Sequence, residues 1–118
     1  RDRPTFLTHW PASQAALARK DPHDPRVALR FELYAAGMEL ANAFEELTDA
    51  AEQRSRFVAD RAARKAQYPD REDWPMDESL LAALAHMPPC SGIALGFDRL
   101  AMLACGTARI QDVLWIKA

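Results

Sequence analysis

The stretch from Arg26 to Gln67 constrains the fold most, because it is either one long helix or a hairpin followed by a helix. It is rich in Ala, Leu, Glu and Arg, which are residues of high helix propensity. Gly37 interrupts it, however, and the apolar residues on both sides of Gly37 also follow the two-residue alternation of strands. A hairpin would pair Arg30–Tyr34 with Gly37–Leu47. Propensity alone favours the helix over this first half.

Prolines divide the rest of the chain into short elements, because proline interrupts both helices and central strands. A run of β-branched and aromatic residues between Pro4 and Pro11 predicts a strand. Polar capping residues and a glycine mark the ends of helices further along. We therefore predict a strand over 5–10, a helix that begins after a cap at Thr48 or Asp49, a loop over 68–76, a short helix capped by Asp77, a buried strand over 93–97, and a helix capped by Asp98 that stops at Gly106.

The composition limits the class of protein. A chain of 118 residues, 49% of them hydrophobic, is long enough for one domain with its own core. The net charge of −2 argues against a strongly basic nucleic-acid-binding module. No apolar run reaches the roughly 18 residues of a membrane span, and Cys90 and Cys105 fit neither a zinc site nor a disulfide scaffold. We therefore expect a cytoplasmic protein that does not enter a membrane, and the initial Arg1 suggests a piece of a longer chain.

Acidic residues are concentrated in the central stretch, and their chemistry depends on which fold that stretch adopts. In a hairpin with its turn at Ala35-Ala36, Glu32 would lie directly opposite Glu39. Two opposed carboxylates repel each other unless they share a proton or bind a cation, and Mg²⁺ prefers carboxylate oxygens as ligands. In a helix, the same two glutamates would simply share a solvated face. The residues alone leave both interpretations open.

Three segments, in the same order, resemble one enzyme family. The segment 91–104, which contains GIALGFDRL, resembles motif 3 of class II aminoacyl-tRNA synthetases. The segment 30–50, which contains ELANAFEELTD, is similar to the lysine-specific segment of class II lysyl-tRNA synthetases, and Pro4–Pro11 resembles the strand that precedes it. The resemblance implies that 1–118 is the C-terminal portion of a catalytic domain. It also implies an α+β fold, a mostly antiparallel sheet flanked by helices, and so favours the hairpin.

The resemblance implies a nucleotide site. Enzymes of this family activate an amino acid with ATP and Mg²⁺. Glu32 and Glu39 match the residues that bind Mg²⁺ together with ATP, and Arg99 matches the arginine that packs on the adenine and reaches the phosphates. Gly96 would let the nucleotide approach the strand closely. Arg99 and Glu39 are therefore the expected catalytic residues.

The resemblance also implies a pocket for the amino acid. Asn42, Phe44 and Ala94 match residues that line the lysine pocket, and Glu46 matches the carboxylate that pairs with the ε-ammonium group of the substrate. Glu39 and Asn42 are an odd number of residues apart, so simple alternation would put them on opposite faces of a strand. If both line the site, a β-bulge or a strong twist must lie between them.

Within the family, the chain is most similar to truncated lysyl-tRNA synthetase paralogues that attach (R)-β-lysine to a lysine of elongation factor P. Pro11–Ala15 resembles their sequence, Thr48 stands where the synthetases usually have Asn, and Ala94 where they usually have Gly. Ala43 departs from the Gly common to both groups. The resemblance implies a ligase with lysine or (R)-β-lysine as substrate and elongation factor P as partner. A lysyl-tRNA synthetase acting on tRNA-Lys is one alternative, and a non-catalytic synthetase-like binding module is another.

Motifs 1 and 2 of the family do not occur in the 118 residues. In the family, motif 1 builds the dimer interface and motif 2 supplies an arginine for the substrate carboxylate and the α-phosphate. We therefore expect the parent protein to be a homodimer and the isolated chain to lack ATP–pyrophosphate exchange activity. We also expect its sheet to have an exposed edge where further strands belong.

Overall fold

Residues 3–116 are described by a computed structural model, in which they form one antiparallel sheet and three α-helices. The elements are β1 (Thr5–Pro11), β2 (Val27–Ala35), β3 (Met38–Glu45), α1 (Ala50–Gln67), α2 (Glu78–Leu84), β4 (Ser91–Leu95) and α3 (Phe97–Cys105), with short 3₁₀ turns at Ala12–Gln14 and Ile110–Asp112. The strands lie side by side in the order β1-β2-β3-β4. The predicted α+β fold is confirmed. Within 3–116, no helix is both long and apolar enough to cross a membrane.

The central stretch begins with a hairpin, so one helix from Arg26 to Gln67 is wrong. Strand β2 pairs with β1 on one side and with β3 on the other, and these pairings override the local helix propensity. The turn lies at Ala36 and Gly37, with φ values of 50° and 81°, one residue later than predicted. A two-residue turn of this kind needs positive φ at both positions, and glycine adopts it readily.

A β-bulge in β3 changes which residues share a face. Leu33 pairs with Ala41 and Tyr34 pairs with Glu39, so Leu40 is an extra residue on β3. The predicted bulge between Glu39 and Asn42 is therefore confirmed. Because of it, the two side chains project from the same face of the sheet despite their odd spacing.

Helix α1 anchors the segment between β1 and β2. Its predicted cap is confirmed at Asp49, which accepts hydrogen bonds from the backbone N–H groups of residues 51 and 52 at 2.9 and 3.0 Å. Gln53 is buried and donates to the backbone oxygen of Ala16 at 3.0 Å. Ala18, with two further buried alanines, forms a small core against which Phe44 packs. The anchored segment therefore lies against the start of β2 and the end of β3, where its residues form isolated bridges with Ala28 and Glu46.

The C-terminal half follows the predicted order of elements, but the bounds and burial of β4, which was predicted over 93–97 and runs over Ser91–Leu95, and the cap of α3 differ from the prediction. Asp77 caps α2, and Gly106, with φ of 67°, ends α3. Strand β4 ends at Leu95, because Gly96 turns the chain and is itself the N-cap of α3; the predicted cap at Asp98 is wrong, and this carboxylate lies in the first turn instead. The strand was also predicted to be buried. As an edge of the sheet it is mostly exposed, with Ile93 at 65% exposure.

Candidate active site

Two rows of residues cross the sheet on the face that carries the predicted site residues. Strand pairing aligns Glu32 of β2, Asn42 of β3 and Ala94 of β4 in one row. Directly paired residues project from the same face, as do residues two apart along a strand. The next row on this face consists of Arg30, Phe44 and Gly92.

Glu32 is the buried carboxylate of this face, at 4% exposure. Arg30 donates a hydrogen bond to its Oε1, and the hydroxyl of Tyr34 donates to its Oε2 at 2.6 Å. A buried charge needs such partners, because it has lost its hydration. The hydrogen bond to the Glu32 carboxylate, reinforced by burial and by the charges of Glu32 and Glu39, raises the pKa of Tyr34 above its ordinary value. Tyr34 therefore remains a protonated donor at neutral pH.

The predicted opposition of Glu32 and Glu39 is wrong. Glu32 pairs with Asn42, and Glu39 pairs with Tyr34. The later turn and the bulge together shift the register by this amount. Both carboxylates nevertheless lie on the same face, and both act electrostatically on Tyr34.

Arg99 meets Glu39 where β3 and α3 approach each other. Its Nη1 donates to the backbone oxygen of Glu39 at 2.7 Å and lies 3.6 Å from Glu39 Oε2. The N–H group of Gly96 donates to the Leu40 oxygen at 2.8 Å. A Cβ at Gly96 would lie 3.3 Å from Cδ of Arg99. The absence of a side chain at Gly96 thus leaves room for the arginine, and the structure brings together Arg99, Glu39 and Gly96 as the sequence predicted.

Glu46 lies beyond the other end of β3. Its N–H group donates to the Cys90 oxygen at 2.9 Å, and a Cβ on Gly92 would come within 2.7 Å of Glu46 Oε1. The half-buried carboxylate therefore occupies space that only a glycine leaves free. At roughly 3.3 Å per residue, Asn42 and Glu46 stand about 13 Å apart along the strand. The Asn42 amide and the Glu46 carboxylate therefore belong to two separate points along one face of the sheet.

The carboxylates on this face fit a shared Mg²⁺ site better than an all-protein metal cage. Among residues 3–116, no three His, Cys, Asp or Glu side chains are arranged to hold a metal ion. Glu32 and Glu39 supply hard oxygen donors on one face. Mg²⁺ commonly binds one or two carboxylates and completes its coordination with water and substrate phosphates. Glu39 is partly exposed and can bind an ion in that mode, whereas Glu32, whose two oxygens already accept hydrogen bonds from Arg30 and Tyr34, can do so only through the lone pairs that these donors leave free.

Arg30 and Tyr34 were not identified from the sequence, although they hold Glu32. The guanidinium of Arg30 also lies 4.3 Å from the ring centroid of Trp10, on β1. Each of the two residues is two positions from Glu32 on the same strand. Once the hairpin is accepted, alternation places both beside that carboxylate, and this is the signal that could have found them.

Comparisons with known proteins identify the family of the chain. Residues 1–116 match the family model described as tRNA synthetases class II (D, K and N). The chain is 54% identical over 115 residues to the elongation factor P--(R)-β-lysine ligase of Pectobacterium carotovorum subsp. carotovorum, an alignment that covers 97% of this chain and 35% of that protein. Identity is 55% over 115 residues with the ligase of the same name from Klebsiella pneumoniae strain 342, with the same coverage. It is 57% over 114 residues with that from Sodalis glossinidius, covering 96% of this chain and 34% of the relative. The chain thus spans about a third of the length of these relatives.

Proposed function

We propose a function on the basis that the chain belongs to the family of class II tRNA synthetases (D, K and N). The protein that contains this chain activates lysine or (R)-β-lysine with ATP and passes the activated amino acid to a lysine side chain of elongation factor P. One observation carries this proposal: Glu39 and Glu46 share one face at opposite ends of β3, and Arg99 of α3 is in contact with Glu39. The names of the similar ligases support the choice of acceptor.

Arg99 and Glu39 form the nucleotide end of the proposed site. The planar guanidinium is held by the Glu39 backbone oxygen, and its remaining N–H groups can bind phosphate oxygens while its plane stacks on a base. Glu32 and Glu39 are the residues that would hold Mg²⁺ together with ATP, and the ion would neutralise charge on the phosphates. The proposed role of Gly96 is to keep the approach to Arg99 open.

Positioning and charge stabilisation are the main contributions of these residues to the proposed reaction. In the activation step the substrate carboxylate attacks the α-phosphate, and pyrophosphate leaves. Such a step gains most from holding the reacting groups in line and from donors aimed at the developing charge. Arg99 is such a donor, because its orientation is already set by Glu39 before a nucleotide arrives.

Glu46 is the proposed partner of the ammonium group at the far end of the substrate. Phe44 supplies an apolar wall beside the alkyl chain, and Ala94 places a methyl group opposite Asn42. A charged pair at Glu46 confers specificity, because an uncharged analogue would leave the half-buried carboxylate without a partner.

The second step, the compartment and the assembly are also part of the proposal. The acceptor is elongation factor P; tRNA-Lys is the alternative, but a net charge of −2 offers little attraction to a phosphate backbone. We place the protein in the cytoplasm as a homodimer. A non-catalytic synthetase-like module is less well supported, because Glu32, Glu39 and Arg99 are all present and the latter two are in contact.

The test compares Glu46→Gln with Glu45→Gln in the full-length protein. Glu45 is the matched control, since its carboxylate forms an exposed ion pair with Arg19 at 2.6 Å. ATP–pyrophosphate exchange is measured with (R)-β-lysine and with L-α-lysine. We expect kcat/KM to fall about tenfold to a hundredfold for Glu46→Gln, and to change little for Glu45→Gln.

Equal activity of the two variants would contradict the role of Glu46. Exchange that depends on neither lysine isomer in the wild-type protein would overturn the proposed function. Transfer of the activated lysine to purified elongation factor P or to tRNA-Lys then decides the acceptor.

A further inference from the structure

We infer that Arg30 is a positioning residue of this site, which turns the Asn42 amide so that its nitrogen, and not its oxygen, is available to the substrate. The inference rests on the function proposed above. In that proposed function, Arg30 does not contact the reacting atoms. Arg30 acts instead through the orientation of Asn42 and through the charge of Glu32.

The Arg30 guanidinium is held on all sides. Its side chain is only 16% exposed, and it stacks over the Trp10 ring at 4.3 Å. Nε donates to Oδ1 of Asn42 at 3.1 Å, Nη2 donates to Glu32, and Nη1 donates to the backbone oxygen of Gln14. Because β1, β2 and the segment after β1 all contribute, the guanidinium has little freedom to rotate. It therefore presents Nε to Asn42 in one direction.

The chemistry of arginine decides which Asn42 atom faces it. A guanidinium carries five N–H donors and no acceptor, so the amide atom that it binds has to be the oxygen. The orientation thus follows from hydrogen-bonding capacity and does not depend on telling nitrogen from oxygen by shape. The Asn42 nitrogen is turned away from Arg30, as a donor on the site face.

This orientation gives the proposed pocket an ordered polarity. Asn42 presents a donor, which suits a carboxylate or phosphate oxygen and disfavours an ammonium group. Glu46, four residues further along the same face, presents an acceptor. A substrate with an anionic and a cationic end can therefore bind in one direction only. Arg30 sets that direction, although the substrate need not touch it.

The substitution Arg30→Lys separates the two effects of Arg30. An ammonium group can still neutralise the buried Glu32, but it lacks the rigid fork that reaches Glu32 and Asn42 together. Arg30→Lys should thus preserve the charge balance and release the Asn42 amide. The matched control is Arg19→Lys, because Arg19 pairs with one exposed carboxylate, that of Glu45.

The experiment measures KM for the amino acid and for ATP in the full-length protein, by ATP–pyrophosphate exchange. For Arg30→Lys we expect KM for the amino acid to rise about tenfold or more, with a smaller change in KM for ATP and no change for Arg19→Lys. In an Asn42→Ala background the same substitution should add little, because the group through which Arg30 acts is gone. A wild-type KM for Arg30→Lys, or an undiminished effect in that background, would overturn the inference.

Two further measurements keep the test decisive if Arg30→Lys fails to fold or the wild type shows no exchange. Asn42→Asp keeps an oxygen towards Arg30 and replaces the amide donor with an acceptor; we expect it to fold and to weaken amino-acid binding measured by calorimetry. Binding at wild-type affinity overturns the inference. If the wild-type protein shows no exchange activity, the proposed function fails, but crystal structures of the variants still decide the inference. In Arg30→Lys the Asn42 amide should leave its wild-type orientation. In Asn42→Asp the new carboxylate should keep its contact with Arg30.

Discussion

Arg30 and Arg56 are both largely buried, and both hold the segment that follows β1, but they do so with different acceptors. Arg56, on α1, has a side chain that is 12% exposed and donates to the backbone oxygens of Ala15, Ala16 and Ala18 and to one carboxylate. Arg30, on β2, donates to a single backbone oxygen and to the side chains of Glu32 and Asn42. The same residue type thus anchors a loop in one region and a group of site residues in the other.

The acceptors decide what each arginine does. Backbone oxygens move only when the chain moves, so Arg56 fixes the path of the segment that carries the small alanine core. Side-chain acceptors rotate about single bonds, so Arg30 selects one orientation among several. We therefore expect losses at Arg56 to appear in the free energy of unfolding, and losses in the Arg30 region to appear mainly in substrate binding.

The largest expected effect is at Arg56. In the full-length protein, Arg56→Met should lower the free energy of unfolding by about 2–4 kcal/mol, because buried carbonyl oxygens lose their donor. Denaturant unfolding measures this. The control is Arg61→Met, whose ion pair with Asp73 is exposed at 39% and 47%, and which should change the free energy by less than about 1 kcal/mol. Equal losses for both variants would remove the distinction between the two regions.

At Gly92 we expect a smaller effect, and we expect it in substrate binding and not in the free energy of unfolding. A Cβ there would lie 2.7 Å from Glu46 Oε1, which is the mobile end of a flexible side chain and can move aside. Gly92→Ala should therefore change the free energy of unfolding by less than about 1 kcal/mol but raise KM for the amino acid about tenfold, because Glu46 is displaced. Ser91→Ala, at the neighbouring exposed position, is the control. An unchanged KM would mean that amino-acid binding does not depend on the position of the Glu46 carboxylate next to Gly92.

The smallest expected effect is the pH dependence at Glu52. Hydrogen bonds from Lys20 and Arg56 lower the pKa of Glu52 below its ordinary value of 4.5. As the pH falls through 4.5, Glu52 takes up a proton in the unfolded chain before it does so in the folded protein. The contribution of Glu52 to stability is therefore complete above this pH and is lost below it. Glu52→Gln should therefore flatten the loss of stability that sets in as the pH falls through 4.5, by less than about 1 kcal/mol.

Unfolding of wild type and Glu52→Gln at several pH values measures the difference. Asp60→Asn, on the same helix, is the control. If both variants lose stability in parallel with the wild type, Glu52 contributes nothing to the hold of Arg56 on the segment after β1.

Much of the fold could be read from local chemistry. The caps Asp49 and Asp77 and the stop at Gly106 were predicted correctly, because a cap depends on residues within one turn of it. The choice between helix and hairpin could not be made from propensity, since it depends on pairing with β1 and on both partners of β2. The family resemblance supplied that choice, and the structure agrees with it.

The resemblance named candidate site residues that the structure brings to one face of the sheet, but it did not give their contacts. The resemblance named Glu39, Asn42 and Arg99, and the spacing of the first two required the bulge that is found between them. The opposition of Glu32 and Glu39 was wrong, because a turn one residue later and one extra residue change every pair beyond them. Such shifts leave no mark on the alternation of the individual strands.

By itself, the sequence determined the local elements and named the candidate site residues, because caps, turns and the family motifs depend on neighbours in the chain. Only the tertiary structure decided the register of β2 and β3, and with it the partners of Arg30. Asn42 lies 12 residues and Gln14 lies 16 residues from Arg30 along the chain, so local pattern says nothing about either contact. Their meeting depends on the pairing of the strands and on the anchoring of the segment after β1, whose free energies are shared among many residues distant in sequence.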